Sequence, residues 1–116
     1  MADQTTTVAE LRAAVQRFVD ERDWRQFHTP KNLSMAIAIE CAELMEHFQW
    51  LGSRESRDVR DSPETMREVR EELADILCFA LSFANALDID VSSAVADKLV
   101  KNANKYPADK FRGRFR

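Results

Sequence analysis

Apolar residues recur along most of the chain at intervals of three and four positions, the spacing of one face of an α-helix. Each apolar stretch follows a residue whose side-chain oxygen can cap a helix, and these residues are Thr7, Asn32, Ser62 and Asp90. Gly52 follows the second stretch and Pro107 the fourth, and both residue types end helices. The pattern therefore predicts four helices at about residues 7–22, 33–51, 63–87 and 91–105.

The predicted links between these helices are short, which favours an all-α fold built as an antiparallel four-helix bundle. The chain has 116 residues with only 2 Gly and 3 Pro, so it lacks the turn residues of a β-sandwich. Its length suits one domain over residues 1–116. Residues 53–61 are predicted to form an exposed connection and residues 108–116 a flexible basic tail.

The second predicted helix differs from an ordinary surface helix. Between Asn32 and Gly52 there is no lysine or arginine, and apolar residues occupy nearly the whole circumference. A helix that is apolar all round is buried, and a bundle of four helices from one chain cannot bury it completely. We therefore expect a homo-oligomer, either a dimer or a tetramer.

Charge and composition narrow the class of partner. The net charge is −3, but residues 98–116 hold seven basic residues and one acid, so residues 1–97 carry −9. An acidic body with a basic end is unlike a duplex-binding face. Residues 76–87, an uncharged stretch, fall short of the roughly 20 residues of a membrane span. We expect a cytoplasmic protein with no nucleic-acid or membrane partner, and we expect Cys41 and Cys78 to be buried thiols.

Four carboxylates occupy positions that the helical pattern assigns to the core. Glu40 and Glu43 lie three residues apart in the apolar stripe of the second helix, and Glu72 and Asp75 repeat this spacing in the third. Like charges about 4 Å apart repel by about 4 kcal/mol even at an effective dielectric constant of about 20. Protonation, a buried base or a divalent cation can each resolve this conflict. Because bases are scarce here and all donors are oxygens, the pattern favours Mg²⁺, with Mn²⁺ as the alternative.

These carboxylates form the motif E-x-x-E, a spacer of 28 residues, then E-x-x-D. Three segments accompany the motif: R-D-W-R-Q-F-H-T-P-K-N-L at 22–33, F-Q-W at 48–50, and Lys98 and Asn102 with K-Y-P at 105–107. Over about residues 8–107 the sequence resembles the MazG-like, all-α nucleoside triphosphate pyrophosphohydrolases, and most closely their dCTP pyrophosphatase branch. Phe79 and Val15 depart from that branch, in which a tyrosine is common at the first position and a histidine occurs at the second.

The resemblance implies Mg²⁺-dependent hydrolysis of a nucleoside or deoxynucleoside triphosphate, with a dCTP-like substrate preferred. Water attacks the α-phosphorus, and the products are a nucleoside monophosphate and pyrophosphate, a reaction that sanitises the nucleotide pool. The implied metal ligands and catalytic residues are Glu40, Glu43, Glu72 and Asp75. The expected substrate contacts are Trp24, His28, Trp50, Phe79, Lys98, Asn102, Lys105 and Tyr106.

The expected substrate contacts divide between phosphates and base. Lys98, Asn102 and Lys105 share one stripe of the fourth helix and are expected to bind the triphosphate. Trp24 and Trp50 are expected to stack on the base. Two alternatives stay open at this point. One is a broad-specificity or phosphoribosyl-ATP pyrophosphohydrolase, and the other is a non-catalytic, nucleotide-binding helical oligomer.

Overall fold

Local capping bonds fix where the helices begin. The Thr7 hydroxyl accepts the backbone N–H of Glu10 at 3.1 Å, and the first helix starts at the next residue after Thr7. The Asp90 carboxylate accepts the N–H of Ser93 at 2.9 Å in the same way. This bond holds the pKa of Asp90 below its usual range. Both caps are those that the sequence predicts.

The computed structural model describes residues 1–116 as helices joined by short links, without a strand. The all-α class is therefore confirmed. The elements are α1 (Val8–Glu21), α2 (Pro30–Glu46), α3 (Ser53–Asp58), a 3₁₀ turn (Val59–Asp61), α4 (Pro63–Ala86), α5 (Val91–Lys105) and α6 (Ala108–Phe111).

The start of α2 differs from the prediction. Thr29, not Asn32, is the N-cap, because its hydroxyl accepts the Asn32 N–H at 3.2 Å and Pro30 supplies the first helical residue. The Asn32 amide donates instead to the carbonyl of Phe27 at 3.0 Å. The helix also ends earlier, at Glu46, and residues 47–51 form turns. Residues 53–61, predicted as an exposed connection, contain α3 and the 3₁₀ turn.

Helix α4 is the central element, with α2 and α1 packed against it. Between α1 and α4, Arg12 Nε donates to Asn85 Oδ1 at 3.0 Å, and Asn85 Nδ2 donates to the Arg12 carbonyl at 3.1 Å. The buried residues are few, and they are Val19, Leu33, Ser82 and Ala84. The core of one chain is therefore confined to the seam between α1, α2 and α4.

Helix α5 leaves this seam. It is bent by 102° from α4, contacts the other helices hardly at all and has no buried residue. Its apolar residues Val95, Leu99 and Val100 are all more than half exposed. No single helix is long and apolar enough to cross a membrane, and α4 and α5 meet that description only as this bent pair.

The single chain exposes more surface than a closed domain of its mass. Its accessible area is 9510 Å², whereas a folded monomer of 13.4 kDa exposes about 6,500 Å². Its radius of gyration is 17.1 Å, against about 13 Å for a compact chain of this length. Much of the excess is apolar, because Met35, Ile39 and Met45 on α2 are exposed as well.

The cysteines and the C-terminus complete the description. Cys41 and Cys78 are both exposed in the single chain, so the expectation of buried thiols is wrong for it. The core is too narrow to enclose either of them. In the C-terminal segment, the Phe111 ring of α6 meets the Tyr106 ring edge-on at 5.3 Å between centroids. The flexibility of residues 108–116 stays a prediction.

Candidate active site

Three of the four predicted carboxylates meet between α2 and α4. Glu40 on α2 and Glu72 and Asp75 on α4 each offer an oxygen, and these oxygens all lie within 4.8 Å of one another. Glu72 and Asp75 share a helix face because they are one turn apart. No lysine or arginine pairs with the cluster. The ion pairs of the chain lie elsewhere and join Arg22 to Glu21, Arg25 to Asp20 and His47 to Glu68.

The surroundings of Glu40 oppose its negative charge. Partial burial raises the pKa of Glu40 above its usual range, and a hydrogen bond with Glu72 and the charges of Asp75, Glu72 and Glu43 raise it further. A proton shared between Glu40 and Glu72 lowers the repulsion in the absence of a cation. A bound divalent cation removes the need for that proton.

Glu43, the fourth predicted ligand, lies outside this close group. It follows Glu40 by one turn of α2, its side chain is exposed, and its charge still raises the pKa of Glu40. The three clustered carboxylates fit a divalent cation because all donors are oxygens and no base competes for them. Mg²⁺ suits such a site, since it binds through few carboxylates and keeps several of its waters.

A cavity of about 440 Å³ opens beside the carboxylates, between α1, α4 and the loop that joins α1 to α2. Asp75 belongs both to the cluster and to the cavity wall. Most of the lining is apolar or aromatic, as in a pocket for a flat organic ring. The ten lining residues are Ala14, Val15, Phe18, Val19, Trp24, His28, Asp75, Cys78, Phe79 and Ser82.

Aromatic rings follow one another along this wall. Ring centroids are 5.8 Å apart for Phe18 and Trp24, 6.2 Å for Trp24 and His28, and 6.3 Å for His28 and Phe79. The Nδ1 atom of His28 is shielded from solvent and has no hydrogen-bond partner. A buried polar atom without a partner carries a desolvation cost, and no group of the single chain offsets that cost here.

Three predicted base contacts, Trp24, His28 and Phe79, thus line the same cavity. The fourth aromatic, Trp50, is 87% exposed beyond the end of α2 and does not line it. The predicted contacts on and after α5, which are Lys98, Asn102, Lys105 and Tyr106, also lie outside its wall. Helix α4 continues for about 16 Å beyond Asp75 before α5 turns away. Within one chain the basic stripe of α5 thus belongs to neither the carboxylate cluster nor the cavity wall.

Sequence reasoning assigned four of the ten lining residues to the site and missed the others, among them Phe18, Cys78 and Ser82. Helical spacing was an available signal, because Ser82 lies two turns after Asp75 on the same face of α4. Cys78 lies one turn after Asp75, and partial burial, with a smaller contribution from the Asp75 charge, raises the pKa of its thiol. Phe18 lies at helical spacing from Leu11 and Val15, so its position in the sequence indicates a core residue and gives no sign of a cavity.

Comparison with known proteins gives concordant results. The MazG-like family profile matches residues 35–114. Curated relatives include dCTP pyrophosphatase 1 of Bos taurus, 37% identical over 107 residues, which are 92% of this chain and 63% of that protein. The Homo sapiens protein of the same name is 37% identical over 102 residues, 88% of this chain and 60% of its own length. The chain thus spans less than two thirds of these relatives.

A solved structure covers the chain more completely. It is the crystal structure of a pyrophosphatase from Archaeoglobus fulgidus, 39% identical in sequence, with a TM-score of 0.81. The match covers 92% of this chain and 98% of the archaeal one. The helical arrangement described above is therefore found almost whole in a protein of similar length.

Proposed function

Because the chain belongs to the MazG-like family, we propose that it hydrolyses a nucleoside or deoxynucleoside triphosphate, with a dCTP-like substrate preferred, to a nucleoside monophosphate and pyrophosphate. The names of the relatives, dCTP pyrophosphatase 1 and a pyrophosphatase, support this proposal. The observation that carries it is the junction of three uncompensated carboxylates with an aromatic cavity through one shared residue, Asp75. Triphosphate chemistry and base binding require such neighbouring sites.

The carboxylates have the first role in the proposed mechanism. Glu40, Glu72 and Asp75 hold Mg²⁺, or Mn²⁺ as the alternative, and Glu43 assists. The cation, when bound, supplies charge neutralisation at the phosphates and a lower pKa for the attacking water. A carboxylate of the cluster orients this water toward the α-phosphorus. The new bond joins the water oxygen to the α-phosphorus, the bond to the bridging oxygen breaks, and pyrophosphate leaves.

The cavity has the second role. Trp24 and Phe79 offer ring faces on which a base can stack, an interaction worth about 1–3 kcal/mol per base. His28 lies between them, and we assign its Nδ1, which has no partner within the chain, to a hydrogen bond with the base. Binding the base here directs the phosphates toward Asp75 and its neighbours.

Product analysis tests the reaction. The purified protein is incubated with Mg²⁺ and each of the common dNTPs and NTPs, with EDTA as the control, and monophosphate, pyrophosphate and orthophosphate are quantified. We expect dCMP and pyrophosphate from dCTP, with no product in EDTA. Orthophosphate with a diphosphate product would contradict attack at the α-phosphorus. Turnover of phosphoribosyl-ATP alone, or binding without turnover, would favour one of the two alternatives left open by the sequence.

A homo-oligomer forms the second part of the proposal. The exposed area exceeds that of a closed domain by about 3,000 Å², enough for a large interface with a second copy. Helix α5 exposes Leu99 and Val100 and has almost no contact within its own chain. We place α5 of one subunit against its partner, so that Lys98, Asn102 and Lys105 bind the triphosphate held by the partner's carboxylates. Trp50 and Tyr106 are expected to reach the base and sugar only in this assembly.

Complementation between two inactive variants tests this arrangement. One variant is Glu40→Gln, and the other combines Lys98→Ala with Lys105→Ala. If α5 acts on the partner's carboxylates, a mixed dimer retains one site with all groups intact. An equimolar mixture, unfolded and refolded together, then regains about a quarter of the wild-type activity. If α5 acts within its own chain, each site lacks one group and the mixture stays inactive. Sedimentation that shows only monomers would overturn the assembly and leave the chemistry open.

A further inference from the structure

A single wall separates two cavities of this chain. On one side lies the apolar cavity of about 440 Å³ described above, and on the other a polar cavity of about 390 Å³. The residues common to both linings are Val19, His28 and Ser82. The polar cavity is otherwise lined by Gln16, Arg25, Pro30, Asn85, Ala86 and Asp88.

Ser82 is the one polar residue among the buried residues of the chain. It stands in an apolar run, between Leu81 and Phe83. The hydroxyls of Ser34 and Ser56 donate to backbone carbonyls one turn earlier, whereas that of Ser82 forms no hydrogen bond within the chain. The Ser82 hydroxyl is not among the solvent-shielded atoms without a partner, so it keeps some contact with the cavities that Ser82 lines. His28 lines the same two cavities, and its shielded Nδ1 has no partner within the chain.

The position of Ser82 relates these polar atoms to the carboxylates. Ser82 follows Asp75 by two turns on the same face of α4, which places it about 10 Å further along the helix. Phe79 lies between them on the cavity wall. A nucleotide whose phosphates lie at Asp75 and whose base stacks on Phe79 therefore presents the far edge of its base to Ser82.

We propose that Ser82 is a specificity-determining residue, whose hydroxyl and the neighbouring His28 Nδ1 bind the hydrogen-bonding edge of the base. The inference rests on the proposed function and extends it to the choice of base. With its ring proton on Nε2, His28 accepts through Nδ1, while the Ser82 hydroxyl can donate. With His28 Nδ1 facing the exocyclic group and Ser82 facing the ring nitrogen, the pair matches cytosine, which carries an amino group beside an unprotonated ring nitrogen. In the same pose uracil sets its carbonyl oxygen against the Nδ1 acceptor.

The test compares dCTP with dUTP, which differ only at this edge. The kcat/KM ratio of the two is measured for the wild type and for Ser82→Ala, Ser53→Ala and His28→Phe. Ser53 is the matched control, because it is an exposed serine on α3, away from both cavities. His28→Phe keeps an aromatic ring between Trp24 and Phe79 but removes the ring nitrogens.

We expect the wild type to prefer dCTP. Loss of one hydrogen bond in Ser82→Ala lowers the dCTP-to-dUTP ratio by about threefold to tenfold, and Ser53→Ala leaves it unchanged. His28→Phe lowers the ratio as well. The double variant Ser82→Ala/His28→Phe loses less than the product of the two single effects, because both groups bind the same edge.

Binding measured without turnover separates this inference from the reaction. Dissociation constants of the non-hydrolysable α,β-methylene analogues of dCTP and dUTP are determined with Mg²⁺ for the same proteins. If no nucleotide is hydrolysed but Ser82→Ala still changes the preference in binding, the proposed reaction fails and the role of Ser82 stands. A ratio unchanged in Ser82→Ala, with the variant folded and the wild type discriminating, overturns the role of Ser82. A wild-type preference for dUTP overturns the proposal that Ser82 and His28 bind the amino group and ring nitrogen of cytosine.

Discussion

Glu40 carries the charge that its surroundings oppose most clearly. Its carboxylate lies with those of Glu72 and Asp75 within 4.8 Å, and no basic side chain offsets them. The site therefore holds a conflict that a cation resolves. Removal of the charge and removal of the cation should act on stability in opposite directions, which makes Glu40 the most informative residue to change.

Replacing Glu40 with Gln should lower turnover by at least about 100-fold, because a ligand for the cation is lost where charge develops in the transition state. In EDTA the same variant should be more stable than the wild type, by roughly 3 °C in Tm, because one repelling charge is gone. Activity assays and thermal melts check both effects. Glu46→Gln is the control, since Glu46 lies on the same helix, exposed and outside the cluster. A Glu40→Gln protein with a lower Tm than the wild type in EDTA would contradict charge repulsion within the carboxylate cluster.

The raised pKa of Glu40 gives the cation-free protein a pH dependence of defined sign. The unfolded chain releases the Glu40 proton near the ordinary value of 4.5, while the folded chain retains it to higher pH. Between these two pKa values the folded state binds more protons, so the free energy of unfolding falls as pH rises. Thermal melts in EDTA at successive pH values above 4.5 should show this decline. Mg²⁺ or the Glu40→Gln substitution should flatten it, and an unchanged slope in the variant would exclude Glu40 as its source.

At the scale of the element, the beginning of α2 positions the cavity loop. Thr29 caps the helix directly after His28, and Asn32 ties it to the Phe27 carbonyl. Thr29→Ala should lower the free energy of unfolding by about 1 kcal/mol, measured by urea unfolding. Thr5→Ala is the control, because Thr5 donates only to Ala2 in the N-terminal turn. Thr29→Ala should also raise KM, because loss of the cap displaces His28. Thr5→Ala should change KM less.

Helix starts were predictable where the cap directly precedes the apolar stretch. Thr7 is followed three residues later by Glu10, as in a capping box, and Asp90 directly precedes Val91; both caps were placed correctly. Thr29 and Asn32 are three residues apart and both suit an N-cap, so the sequence could not choose between them without knowing that Asn32 bonds to Phe27. The i, i+3 carboxylate pairs were predictable because they need only the helix period. The approach of Glu40 to Glu72 and Asp75 depends on how α2 packs on α4, which the resemblance supplied and spacing could not.

At the scale of the whole molecule, the prediction concerns self-association through the apolar surface of α5. Leu99 is 61% exposed in one chain, and the proposed assembly buries it. Leu99→Glu should weaken self-association by at least about tenfold, because a charge enters an apolar interface. Sedimentation over a range of protein concentrations measures the change. Asn104→Glu adds the same charge on the opposite side of α5 and should leave association intact; equal effects of both variants would argue for simple charge repulsion.

The surface of one chain also bears on which substitutions the protein can accept. Ile39 on α2 and Leu99 on α5 have the exposure of positions that normally vary freely among related proteins. In the proposed assembly, however, they are interior positions. A scan of all single substitutions, scored for function in living cells, should therefore find them as intolerant of polar residues as Leu33, the most deeply buried residue of the chain. For this protein, mutational tolerance follows the boundary of the assembly and not that of the folded chain.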